Sequence, residues 1–144
     1  MTVQALLAGK QSEIKTVGPK VHVETVAAVL HENRIGALPV IDERDTLVGI
    51  ISERDIIRVV ALHGTAALSL TVDRVMTRGV VTVTPQASIK DVMATMTSRR
   101  IRHLPVIEAG RLKGVISIGD VIKHRLDTTE MEVNVLRDYA ISKS

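Results

Sequence analysis

The sequence predicts an α/β protein built from two copies of one strand, helix, strand, strand, helix unit. Three observations carry that reading. The chain of 144 residues aligns with itself over most of its length. Each copy alternates between apolar residues at helical spacing and short apolar runs bounded by polar turns. The buried volume must also come from aliphatic side chains, because the chain has one Tyr and no Phe or Trp, and the β-branched members of that set favour strands.

The internal repeat sets the frame for every element. Thr16 falls on Thr82 at an offset of 66, and Val17, Pro19, Val26, Ala28 and Ile35 then fall on Val83, Pro85, Val92, Ala94 and Ile101. The stretch Arg34 to Ile41, RIGALPVI, returns as RIRHLPVI from Arg100 to Ile107, with changes at two of eight positions. The changed pair is Gly36 and Ala37 in one copy, Arg102 and His103 in the other. The shared frame reads as structural and the exchange of small residues for basic ones as functional. Past it the offset becomes 65, so that Leu47, Gly49, Ile51, Ser52 and Asp55 meet Leu112, Gly114, Ile116, Ser117 and Asp120. Two copies of a unit longer than the roughly 20 to 50 residues of a solenoid repeat imply a paired domain with approximate two-fold symmetry.

In chain order, Thr16-Val17 and Val81 to Val83 are short extended pieces closed by Pro19 and Pro85, which disfavour helix just before them. Val23 to Asn33 and Ile89 to Arg99 carry helical spacing, with Ser88 as N-cap and Asp91 in the first turn of the second helix. Ala37 to Ile41 and His103 to Ile107 are apolar runs too short for helices and read as buried strands. Polar turns follow, Asp42 to Thr46 and Glu108 to Arg111, the second with Gly110 at positive φ. Leu47 to Ile51 and Leu112 to Ile116 complete two hairpins, and Asp55 and Asp120 sit in the first turn of the next helices. Gly64 to Leu70 reads as a linker and Val72 to Met76 as a short helix. At the C-terminus, Ile122, Leu126, Val133, Leu136 and Ala140 fall near heptad spacing with Thr129 in register, as for a helix packing on its own module or on a second subunit. The division is residues 1–70 for the first repeat with its N-terminal segment and linker, 71–126 for the second, and 127–144 for a C-terminal helical extension.

Composition narrows the function. A net charge of +3 with Lys and Arg scattered among Asp and Glu, and no aromatic stacking platforms, argues against a nucleic-acid partner. The absence of cysteine removes disulfides and thiolate metal sites and suits a reducing compartment. The start lacks a signal-peptide pattern and no apolar run approaches the ~18 residues of a membrane span, so a soluble cytoplasmic protein is expected. No GxGxxG, Walker or GxSxG string occurs, and His22, His31, His63 and His124 lack metal-ligand spacing.

The apolar-Pro-Val-Ile hairpins followed by Gly-x-Ile-Ser-x-x-Asp resemble a tandem pair of cystathionine-β-synthase (CBS) domains, the arrangement called a Bateman module. The resemblance covers about Thr16 to Leu126, as in a stand-alone CBS-pair protein. It implies two βαββα units packed through their sheets, frequent homodimerisation into a flat disc, and adenine-nucleotide ligands such as AMP, ADP, ATP, NAD(H) or S-adenosylmethionine in clefts between the repeats. It implies a regulatory role with no catalytic residues and no resident metal, acting on a protein target by changing conformation. The alternative is a dimerisation scaffold without a physiological nucleotide.

The candidate chemistry lies in the two Ser-x-x-Asp junctions. A carboxylate there can accept both ribose hydroxyls, and the adjoining helix N-terminus favours phosphate. A lone Asp at this position merely stabilises its helical turn; the matched pair is what favours ribose. By the resemblance each site is shared between copies. Site one would combine Ser52, Arg54 and Asp55 with Thr82, Val83 and Thr84 and direct Arg102 and His103 at phosphate. Site two would combine Ser117 and Asp120 with Thr16, Val17, Gly18, Gly36 and Ala37; Lys20 and Lys123 are candidates to compensate for the missing basic pair, although solvated lysines are the commoner explanation.

Overall fold

A computed structural model describes residues 1–10 and 13–143. After a short N-terminal helix α1, Val3–Ala8, the helical spacing from Val23 becomes α2, Val23–Asn33. Strands β1, Ala37–Ile41, and β2, Leu47–Ser52, form an antiparallel hairpin, and α3, Glu53–His63, follows β2 directly. The second copy repeats this as α4, Ile89–Arg99, then β3, His103–Glu108, and β4, Arg111–Ser117, then α5, Ile118–Lys143. Val17 joins β1 beside Val40, and Val83 joins β3 beside Val106, each as a single parallel bridge. The short extended pieces read from sequence are therefore one bridge wide.

Each copy folds for the same local reasons. Helix α2 buries Val23, Val26 and Leu30, and α4 buries Ile89, Val92 and Met96. The Ser88 hydroxyl accepts the Asp91 amide at 3.0 Å, the cap its sequence implied. Both helices end on an arginine in the left-handed region, Arg34 at φ 53° and Arg100 at φ 54°, a conformation costing a residue with Cβ roughly 1 kcal/mol. Leu38 and Ile51 in the first hairpin, and Leu104 and Ile116 in the second, are fully buried. The second hairpin turns tightly on Ala109 and Gly110 at φ 51° and 77°. In the longer first turn, Asp42 accepts the Arg44 and Thr46 amides, each at 2.9 Å.

Three segments differ from the sequence reading. Gly64–Ser69 is a 3₁₀ turn with Ala67 fully buried, and Val72–Arg74 is a single 3₁₀ turn where a helix to Met76 was expected. The chain there is pinned on both sides, by Thr71 against His22 and by Thr77 against Ile50, which leaves length for one turn only. Val72, Val75 and Met76 complete the core of the first repeat. The sequence also places Val3 with the first repeat, whereas its side chain is buried in the core of the second with Ile89, Leu104 and Val121. The two segments are equivalents. The Val3 amide donates to Ala87 at 2.9 Å, as the Val72 amide donates to Val21 at 2.8 Å. Thr2-Val3 repeats Thr71-Val72, so each repeat borrows the segment that precedes the other.

The C-terminal extension is the helix that the heptad spacing implied. It continues α5 without a break, and beyond Val121, which is buried, every described side chain from Arg125 to Ile141 is exposed. Among the described residues no helix is long and apolar enough to cross a membrane.

Candidate ligand-binding site

The two strand-to-helix junctions face each other across the approximate two-fold axis. In the first, the Ser52 hydroxyl accepts the Asp55 amide at 3.3 Å while Asp55 Oδ2 accepts the Ser52 amide at 2.9 Å, a reciprocal capping box. The Glu53 amide donates to Gly36 O at 3.0 Å, as the Ile118 amide donates to Arg102 O at 2.8 Å in the second copy. Each junction is thereby bolted to the residue where the two copies differ.

A cavity of about 200 Å³ opens at the first junction, lined by Ser52, Arg54, Asp55 and Thr77 from the first half and by Arg100, Ile101, Arg102 and His103 from the second. Gly36, Ala37, Ile50 and Glu53 complete the wall. Arg54, Arg100 and Arg102 have no carboxylate partner among the described residues. Three guanidinium groups on one small cavity make a site for a multiply charged anion. Asp55 is 3% exposed and receives hydrogen bonds from Ser52 and from Thr77 Oγ1 at 3.2 Å, with Arg58 Nη1 at 3.0 Å. Its oxygens are engaged from within the protein.

Several sequence-predicted residues meet here and others do not. Ser52, Arg54, Asp55, Arg102 and His103, all assigned to site one from sequence, line this one cavity. Gly36 and Ala37, expected in site two, line the same cavity, because the starts of β1 and β3 lie against each other; a Cβ on Gly36 would stand 3.0 Å from the His103 ring. Burial pushes the His103 imidazole below its ordinary value, and Lys10 and Arg102 push the same way against Glu53 and Asp120. Burial therefore favours the uncharged imidazole, and the permanent positive charge at the cavity is that of the arginines. Thr82 lines a separate cavity of about 350 Å³ with Leu47, Val48, Gly79 and Val80. Val83, Thr84, Thr16, Val17 and Gly18 line neither of these two cavities.

At the second junction Ser117 and Asp120 keep their mutual cap, at 2.9 and 3.1 Å. The cation beside them is Lys10, whose ammonium donates to Asp120 Oδ2 at 2.8 Å and to Val115 O at 2.9 Å. Neither lysine singled out from sequence fills that place: Lys20 pairs with Asp73 at 2.8 Å, and Lys123 is exposed on α5. The signal for Lys10 was the match of Thr2-Val3 to Thr71-Val72, which places residues 2–10 against the second repeat as 71–79 lie against the first. Arg100 and Thr77 also escaped the sequence reading; Arg100 was present in both copies of the repeated stretch as Arg34 and Arg100, and so read as frame.

Burial opposes ionisation of Asp120, but the Lys10 ammonium and the Ser117 amide outweigh it and hold the carboxyl below its ordinary 3.8. Because the folded value is depressed, the stabilisation is complete above the unfolded value and is lost as pH falls through the folded one. Lys10→Met should therefore move the Asp120 carboxyl titration upward, followed by carboxyl NMR, while Lys123→Met leaves it in place. An unmoved titration in the Lys10 variant would show that this ion pair does not form in solution.

Comparison with known proteins fits the architecture. The CBS domain model matches twice, over residues 10–62 and 72–127. The CBS-domain containing protein ATU1752 from Agrobacterium tumefaciens superposes with a TM-score of 0.83 at 43% identity, covering 86% of this chain and 92% of that one. CBSX2, solved in complex with AMP, superposes with a TM-score of 0.74 at 25% identity over 88% of this chain and 97% of that one. The CBS domain pair of protein MJ0100, solved with 5′-methylthioadenosine and S-adenosyl-L-methionine, gives 0.75 at 26% identity over 90% and 98%. The mitochondrial CBSX3 of Arabidopsis thaliana is 37% identical over 112 residues, which make up 75% of this chain and 54% of that longer protein. With two family matches, a duplicated fold and a cleft between the duplicates, the chain belongs to the CBS domain family as a tandem pair.

Proposed function

We propose that this chain is a non-catalytic, cytoplasmic regulatory module that binds an adenine nucleotide, AMP, ADP, ATP or NAD(H), between its repeats and signals to a protein target as a homodimer. The observation that carries the reading is the set of Arg54, Arg100 and Arg102, unpaired among the described residues, around one cavity that also holds the Asp55 carboxylate. Structurally similar CBS pairs hold AMP, or methylthioadenosine and S-adenosylmethionine, and the adenosine moiety is common to all three. The nucleotide regulates only through a difference in affinity between conformations, so tightness alone does not make a signal.

Calorimetry with AMP, ADP, ATP and NADH tests the reading, with adenosine as the control that lacks phosphate. Wild type is expected to bind at least one nucleotide, and Arg102→Gly with His103→Ala to weaken it by about 10- to 100-fold with adenosine affected far less. The double variant copies the Gly-Ala pair of the first repeat and should unfold at the wild-type midpoint. If no nucleotide binds wild type at about millimolar concentration, the sensor reading fails.

One observation favours a second reading, a dimerisation scaffold. Asp55 and Asp120 already have internal partners, Thr77 and Arg58 for one and Lys10 for the other. Under that reading the carboxylates only hold their helices, and the same titrations would be silent while the oligomer persisted.

A further inference from the structure

Past its first two turns, α5 leaves the body of the protein. A helix whose apolar face is exposed is marginal in water, since helices in proteins draw most of their stability from packing such a face. The exposed part of α5 nevertheless carries an ordered apolar seam. Ile122, Leu126, Thr129, Val133, Leu136 and Ala140 follow one another at alternating steps of four and three, the period that winds helices into a left-handed coil. Its four large members are 53%, 58%, 48% and 68% exposed in chain order.

Charge selects the occupant and its direction. With Leu126, Val133 and Ala140 at a, and Ile122, Thr129 and Leu136 at d, Lys123 and Arg137 fall at e, and Arg125 and Glu132 at g. Two such helices in parallel register bring each g residue to the e residue of the next heptad across the seam. Glu132 then faces Arg137 of the second copy, twice by symmetry. A fully overlapped antiparallel pair would instead set Glu132 against Glu132 and Lys123 against Arg137, like charges in both cases. The seam is therefore complementary to itself in one orientation only.

We propose that residues 122–140 of α5 form a parallel, in-register, two-stranded coiled coil with a second copy of this chain. This rests on the homodimer reading above and adds where and in which direction the two copies meet. Parallel strands put both CBS pairs at the same end of the coil.

Because the chain has no cysteine, single cysteines report the register in the full-length protein. Leu136→Cys is expected to give the disulfide-linked dimer as the main species under mild oxidation, since in-register d positions lie within disulfide reach. A mixture of Leu126→Cys and Leu136→Cys chains that cross-links only to each other, with neither linking to itself, would overturn the proposal in favour of an antiparallel pair. The double variant Val133→Glu/Leu136→Glu should raise the dimer dissociation constant at least about tenfold, by sedimentation equilibrium. If that variant dimerises like wild type, the homodimer reading stands and the coil is wrong; if wild type sediments as a monomer, both fail. A mass of four copies would overturn the two-stranded form and point to Met131 and Val135, exposed off the seam.

Discussion

Asp55→Ala is expected to lower the unfolding free energy by about 2 kcal/mol, whereas Asp120→Ala, at the equivalent position of the second repeat, should cost about 1 kcal/mol. The motifs match but their surroundings do not. Asp55 is 3% exposed, closes a capping box, accepts from the Thr77 hydroxyl and pairs with Arg58. Its removal leaves the Ser52 amide and the Thr77 hydroxyl without their acceptor inside the protein, while Arg58, 55% exposed, can turn to water. The Asp120 side chain is 24% exposed and its ion-pair partner Lys10 is 35% exposed, so water can solvate the lysine left behind and screens the pair that was lost. Urea unfolding followed by far-UV circular dichroism measures both, since with no Trp fluorescence is a weak probe. Equal losses would mean that Thr77 and Arg58 contribute nothing at the first junction. The comparison also guards the binding experiment: any loss of nucleotide affinity in Asp55→Ala must be measured where the variant is still folded.

Gly49→Val is the second large effect, with an expected cost of about 3 kcal/mol against about 1 kcal/mol for Gly114→Val. A Cβ on Gly49 would stand 2.5 Å from Met76 Sδ and 3.0 Å from the Thr77 carbonyl oxygen. The thioether can swing away, but the carbonyl is fixed by the paired hydrogen bonds between Ile50 and Thr77, at 2.8 and 3.0 Å. At Gly114 the near neighbour is the tip of Leu7, at 2.8 Å, on a six-residue helix that can shift. Gly49→Val should also weaken nucleotide binding, because displacing Thr77 removes a donor from Asp55 at the cavity wall. A variant as stable as wild type would show that the 76–77 segment is looser than its hydrogen bonds imply.

The regular elements were legible because local pattern and burial agree in them. Val26, Leu30, Val92 and Met96 are spaced for a helix face and are buried on one, and the apolar runs of β1 and β3 had no other place than the core. The repeat doubled each of these signals. What remained hidden depended on residues far apart in sequence. Lys10 acquires its role only when α1 is docked on β4 of the other repeat, and the cavity drew Gly36 and Ala37 to Arg102 and His103 because two-fold symmetry brings equivalent positions together. The Gly64–Ser69 turn looked like a linker because its polar and small residues give no period, yet its folded path buries Ala67.

The exchange of leading segments between the repeats constrains how the chain folds. Leu104, Ile116 and Val121, the neighbours of Val3 in the second core, emerge about a hundred residues after it, and contacts so distant in sequence are slow to close. During synthesis the first repeat can finish once Met76 has appeared, while the N-terminal strand of chain waits unplaced. The second repeat closes after the first, onto a segment made before either, and in closing it ties the two halves into a ring that neither can leave alone.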